Sequence, residues 1–135
     1  MSQWTHVTAC IRFDALRMVG MPNMKPDLGI TASYEDAREK WDQCNVPCGS
    51  EGSLQHYMWE DPNTSSLAAY TAMFWGDLRD YDDEQEILDY FTRITEGKMI
   101  RSGVIEIAVE YKSTKVYRYE SDPDASEQRW ILCSK

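Results

Sequence analysis

The side chains with the widest chemical range in this chain are Cys10, Cys44, Cys48, Cys133, His6 and His56. Cys44, Cys48, His56 and Cys133 can be grouped as a zinc set. Zinc motifs, however, bring ligands as pairs two to four residues apart with a second such pair downstream, and the second pair is missing. A cysteine nucleophile needs a thiolate activated by a base or a basic environment. Only His6 and His56 can serve as histidine bases, and neither sits in a recognisable motif. No Ser-His-Asp, HExxH or paired-carboxylate signature is present. A cysteine- or metal-dependent enzyme is thus the least supported reading, and no catalytic residue, metal or cofactor is expected. The four cysteines are expected as reduced thiols, with Cys10 in the core.

Pro47-Cys48-Gly49-Ser50-Glu51-Gly52 is the next candidate. Successive backbone N–H groups in a glycine-rich loop can cradle an anion. Here no Gly-Lys-Ser/Thr follows, no helix N-terminus is supplied, and Glu51 repels phosphate. A tight turn feeding a strand is the plainer reading. A small-ligand loop of Gly49, Ser50, Glu51 and Gly52 is the alternative.

From Asp77 to Asp89 there are seven acids and one base. Asp82, Asp83, Glu84 and Glu86 suit a helix N-terminus, where negative charge is stabilising. Asp77 and Asp80 precede the helix and escape that account. Together with Trp75, Arg79 and Tyr81 the segment reads either as a solvated helix start or as a patch that docks a basic surface. The aromatic residues pose a similar choice. Tyr57 and Trp59 share one face of a strand, and Tyr117 and Tyr119 share one face of another. Faces turned away from the helices form a platform that stacks a nucleotide or a second copy; faces turned inward are core.

Composition limits these options. The chain has 135 residues, 42% of them hydrophobic, enough for one folded domain. Its 23 acids against 14 bases leave a net charge of −9. That disfavours direct nucleic-acid binding and anionic lipid, because phosphate neutralisation supplies most of that affinity. No apolar run reaches the roughly 20 residues of a membrane span. The first residues lack a basic region followed by an apolar stretch, so a cytoplasmic location is expected.

These residues must be positioned by elements whose pattern is partly legible. Residues 4–13 alternate as a half-buried strand, and 18–30 hold the Pro and Gly of a long loop. Ser33 and Asp36 open a helix bearing Tyr34, Ala37 and Trp41 that ends at Pro47. Strands follow at 53–60 and 68–75, joined through Asp61-Pro62-Asn63 and closed by Gly76. Asp82 as N-cap, Gln85, the stripe Ile87, Leu88, Phe91 and Ile94, and Gly97 define a second helix. Strands at 105–111 and 116–120 make a hairpin. The order is β-α-β-β-α-β plus one C-terminal hairpin strand. It predicts a ferredoxin-like α+β fold with an antiparallel sheet in a single domain over residues 1–120, with 121–135 a linker and docking tail. More strand aromatics than two helices can cover also predict self-association.

The segments "WTHVTACIRFDAL", "PCGSEGSLQHYMWEDPN" and "FWGDLRDYDDEQEILDYF" resemble a group of small proteins encoded by bacteriophages and prophages, to which no activity is attached. That resemblance implies an acidic accessory protein in the cytoplasm of a bacterial host, and many such factors neutralise a defence component. The expected function is therefore non-enzymatic: binding and inhibition of a host protein through the acidic segment. The alternative is sequestration of a small nucleotide messenger by the glycine-rich loop with Tyr57 and Trp59.

Overall fold

The computed structural model describes residues 2–16, 46–60, 67–120 and 130–133. They form strands β1 (Trp4–Leu16), β2 (Gln55–Glu60) and β3 (Leu67–Arg79), helix α1 (Glu84–Thr95), and strands β4 (Met99–Val109), β5 (Lys115–Tyr119) and β6 (Trp130–Leu132). All six strands join one antiparallel sheet in the order β2-β3-β1-β4-β5-β6.

Period-2 alternation divides the sheet into two faces. Thr5, Val7, Ala9, Ile11 and Phe13 on β1, Tyr70, Ala72, Phe74 and Leu78 on β3, and Ile105, Ile107 and Val109 on β4 are buried on one face. Helix α1 covers that face with Ile87, Tyr90, Phe91 and Ile94. The Phe91 ring meets Phe74 edge-on at 5.1 Å and Trp130 at 6.3 Å. Each such side chain contributes about 1.5–3 kcal/mol by leaving water. The helix begins one residue later than its sequence signal: Asp83, not Asp82, is the N-cap and accepts the Glu86 N–H at 3.0 Å.

The ferredoxin-like β-α-β-β-α-β expectation is corrected. The described residues hold six strands and one helix, not a split pair of βαβ units with two helices. The expected helix from Ser33 and the loop over 18–30 lie outside the described residues, as does the turn at Asp61. Of the helix's expected end, Val46 and Pro47 belong to the turn before β2. Gly76 does not close β3, which continues to Arg79. There Ser53 comes so near that a Cβ on Gly76 would stand 2.9 Å from its carbonyl oxygen. The expected tail contains a strand. β6 pairs with β5, and the Cys133 N–H donates to the Val116 carbonyl at 2.8 Å, so that part of the β5 edge gains partners. Among the described residues no helix is long and apolar enough to cross a membrane.

The β4–β5 connection turns at Tyr111, whose φ is 70°, with the Lys112 N–H donating to the Val109 carbonyl at 3.0 Å. Positive φ at the third turn position is the type II arrangement that favours glycine. A bulky side chain there costs about 1–2 kcal/mol. Tyr111→Gly therefore raises stability by about 0.5–1 kcal/mol after the larger entropy of the unfolded glycine chain is offset. A rise in the denaturant midpoint at constant m-value checks this; an unchanged or lower midpoint contradicts it.

Candidate functional site

The glycine-rich segment is a turn joined to the end of β3. Cys48 and Ser53 form an isolated antiparallel bridge. The Gly49 N–H donates to the Gly52 carbonyl at 2.9 Å, and the Ser50 N–H donates to the Arg79 carbonyl at 2.9 Å. The Arg79 N–H returns to the Glu51 carbonyl at 3.0 Å. The Arg79 guanidinium also pairs with the Glu51 carboxylate and donates to Ser2 Oγ at 2.9 Å. The amide donors of Gly49 and Ser50 are thus directed at backbone carbonyls rather than at an anion.

The acidic segment is bound up in the same corner. His6 Nδ1 lies 2.6 Å from Asp77 Oδ1, and Ser50 Oγ donates to Asp80 Oδ2 at 2.8 Å. Asp83 caps α1, Glu84 pairs with Lys115 at 2.8 Å, and Asp89 accepts from Gln85 at 2.9 Å. The Glu84 carboxylate holds the Lys115 amine above its ordinary pKa, first through the hydrogen bond and then through its charge. Tyr81 is buried, and its backbone carbonyl accepts from the Thr5 hydroxyl. Burial, with the nearby Glu86 and Asp83 carboxylates, pushes its phenol far above the ordinary value, so it stays neutral. Asp77, Asp80, Asp83, Glu84 and Asp89 therefore have partners within the chain, Glu86 lies beside the Tyr81 phenol, and Asp82 is exposed at the helix start.

The face of the sheet opposite α1 carries a different surface. The register sets Tyr57 against Met73, Gln55 against Trp75 and Trp59 against Thr71, then Met73 against Cys10 and Trp75 against Thr8. Tyr57, Trp59, Met73 and Trp75 are 45–59% exposed, although all four are large and apolar. Val104, also exposed, extends the surface to β4, and the charged Arg118 of β5 separates it from the exposed Ile131 of β6. Polar groups border it: Arg12 opposite Thr71, Glu106 opposite Thr8, and the His6–Asp77 pair beside Trp75. An apolar centre with a polar rim is the anatomy of a protein interface.

Trp75 and Asp77 of the acidic candidate thus share one face with Tyr57 and Trp59 of the glycine-loop candidate. Tyr81 points into the core, and Gly49, Ser50, Glu51 and Gly52 form the turn at the sheet's end. Tyr117 and Tyr119 are not a second platform: Tyr117 is buried and Tyr119 packs on Trp130, both on the helix-covered face. Burial raises the Tyr117 phenol pKa. Met73 and Val104 were not among the sequence candidates; the alternation Thr71, Met73, Trp75, Asp77 is the signal that would have found Met73.

Cys10 is not a core residue but lies on the open face, partly exposed. Cys10, Cys48 and Cys133 carry free thiols. Cys48 lies in the turn before β2 and Cys133 beside β6, at opposite ends of the strand order, and Cys44 lies outside the described residues. No cluster of three or more metal-ligating side chains occurs among the described residues. Comparison with protein-family models, with curated proteins and with solved structures gives no match.

Proposed function

We propose that this chain is a binding protein rather than a catalyst, and that it acts by laying the open face of its sheet on a basic, apolar-centred surface of another protein. The observation that carries this reading is the contiguous, exposed set Tyr57, Met73, Trp75 and Trp59 on two paired strands. Tryptophan and tyrosine are the side chains most enriched at the energetic centre of interfaces. A net charge of −9 supports a basic partner and opposes an anionic ligand. The resemblance to phage-encoded proteins supports a host defence protein as that partner.

Two further observations favour binding over the other readings. The turn amides that would cradle a nucleotide phosphate are directed at Gly52 and Arg79. His6 and Cys10 share a face but stand four residues apart on β1, about 13 Å at the rise of a strand, beyond proton-transfer reach.

The test compares capture of basic host proteins by the wild-type chain, by Met73→Lys/Trp75→Lys and by Asp82→Asn/Glu86→Gln. Lysines at the centre are expected to weaken binding at least tenfold, about 1.4 kcal/mol, with the thermal midpoint preserved because both side chains are exposed. Neutralising Asp82 and Glu86 changes binding less. Binding unaffected by the lysines, or lost only on neutralising the two acids, overturns the reading.

A further inference from the structure

The open face of the sheet changes character along its strands but not across them. Along β1 its residues are His6, Thr8, Cys10, Arg12 and Asp14, so polar groups flank Cys10 on both sides. Across the strands the register runs Tyr57–Met73–Cys10–Val104 through β2, β3, β1 and β4, and meets charge only at Arg118 of β5. Trp75 and Trp59 widen this apolar band on β3 and β2. Exposed charges of opposite sign border its two sides. Glu106 lies opposite Thr8, on the side of the His6–Asp77 pair, and Arg12 lies on the other side, opposite Thr71.

We infer that the partner element seated on this face is a short amphipathic helix that crosses the strands, with a basic flank over Glu106 and an acidic flank over Arg12. The inference rests on the binding reading above and names the element bound and its charge order. Thr8 and Arg12 stand about 13 Å apart along β1, close to the diameter of about 10–12 Å of a helix with its side chains. From Tyr57 to Val104 the band crosses three inter-strand spacings, about 14 Å, the length of about nine helical residues. An apolar stripe at i, i+3, i+4 and i+7 covers that length. A second sheet stacked here would run its strands near those of β1 and set its apolar face on His6, Thr8, Arg12 and Asp14, which are polar.

The two bordering charges fix direction as well as place. Turning a helix end for end exchanges its flanks, so a helix with one basic and one acidic flank is held one way round. A helix with two basic flanks sets a cation against Arg12. One with two acidic flanks sets an anion against Glu106. Like charges brought together in this way cost affinity and reject the wrong partner. The net charge of −9 does not distinguish among basic helices, whereas Arg12 does.

Three labelled, lactam-bridged peptides of about four helical turns test the inference. They share one leucine stripe and differ in their flanks: Lys with Glu, Lys on both, or Glu on both. Fluorescence anisotropy at physiological ionic strength, where exposed charges reach roughly 8 Å, ranks them by contact rather than by net charge. The wild-type chain is expected to bind the Lys/Glu peptide about tenfold more tightly than either of the others. Arg12→Glu moves the preference to the Lys/Lys peptide, and Glu106→Lys moves it to the Glu/Glu peptide. Arg12→Gln and Glu106→Gln remove the discrimination without reversing it, and thermal midpoints show which variants are folded. Trp75→Lys weakens all three complexes. Binding of none of the peptides, or a ranking that folded Arg12 and Glu106 variants leave unchanged, overturns the inference. It does so even where capture of host proteins still depends on Met73 and Trp75, a result that leaves the binding face standing. Light scattering reads the other occupant: a chain that doubles its mass of 15.7 kDa, and loses the dimer in Trp75→Lys, carries a second copy on this face and overturns the helix.

Discussion

Phe91→Ala lowers the unfolding free energy by about 3–5 kcal/mol, the range for truncating a fully buried aromatic side chain. Phe91 is 0% exposed and lies, with Ile87, Tyr90 and Ile94, on the face that α1 buries against the sheet. Its ring packs edge-on against Phe74 of β3 and Tyr90 of its own helix, and reaches Trp130 of β6. Truncation removes three aromatic contacts at once. The cavity lies between a helix and a sheet that cannot close toward each other without disturbing Ile87 and Ile94, which flank it along α1. Against a total stability of about 5–15 kcal/mol, such a loss leaves a measurable unfolded fraction at moderate temperature. Equilibrium denaturation of Phe91→Ala beside Ile94→Val, whose expected loss is about 0.5–1.5 kcal/mol, gives the comparison. A loss below about 1.5 kcal/mol for Phe91→Ala would show that α1 is not held through this ring.

Gly52→Ala is expected to cost about 2–5 kcal/mol, and Gly97→Ala only about 1–2 kcal/mol. Both glycines have left-handed φ, 77° and 73°, so both variants carry the conformational penalty of a Cβ there. They differ in what the Cβ meets. At Gly97, just beyond the C-cap of α1, nothing lies within 4 Å. At Gly52 the added carbon stands 2.0 Å from the backbone carbonyl oxygen of Asp77, which cannot rotate away as a side chain can. Either the turn over residues 48–53 lifts from β3 or β3 bends. Both responses disturb the pairing of Ser50 and Glu51 with Arg79 and the approach of His6 to Asp77. Denaturation of the two variants side by side isolates the steric part. Equal losses would mean that the turn does not press on β3.

The positions of β1 to β5 and of α1 were readable because each rests on a short-range signal. Alternation over Val7, Ala9, Ile11 and Phe13 needs only the two-residue period of a strand. The stripe Ile87, Phe91, Ile94 followed by Gly97 needs only the helical period and a residue that accepts positive φ. The boundaries were less readable. Asp82 and Asp83 are both good N-caps, and the choice between them depends on which aspartate reaches the Glu86 N–H. Gly76 looks like a strand end because glycine usually weakens strands, but here its bare backbone admits Ser53.

By itself, then, the sequence determined the chain's negative charge, the alternating residues of its main strands, helix α1 and the turn character of the glycine pair. All of these depend on composition or on neighbours a few residues away. Only the tertiary structure decided that Trp130–Leu132 extends the sheet, that the acids between Asp77 and Asp89 are mostly held by partners as distant as His6, Ser50 and Lys115, and that Cys10 faces outward. It alone placed Tyr57 and Trp59 beside Met73 and Trp75, and Tyr117 on the covered face. Alternation states that two sets of side chains point in opposite directions; it does not say which set the helix will cover. That choice is made by strand register and by the side of the sheet on which α1 packs, and both are long-range properties of the folded chain.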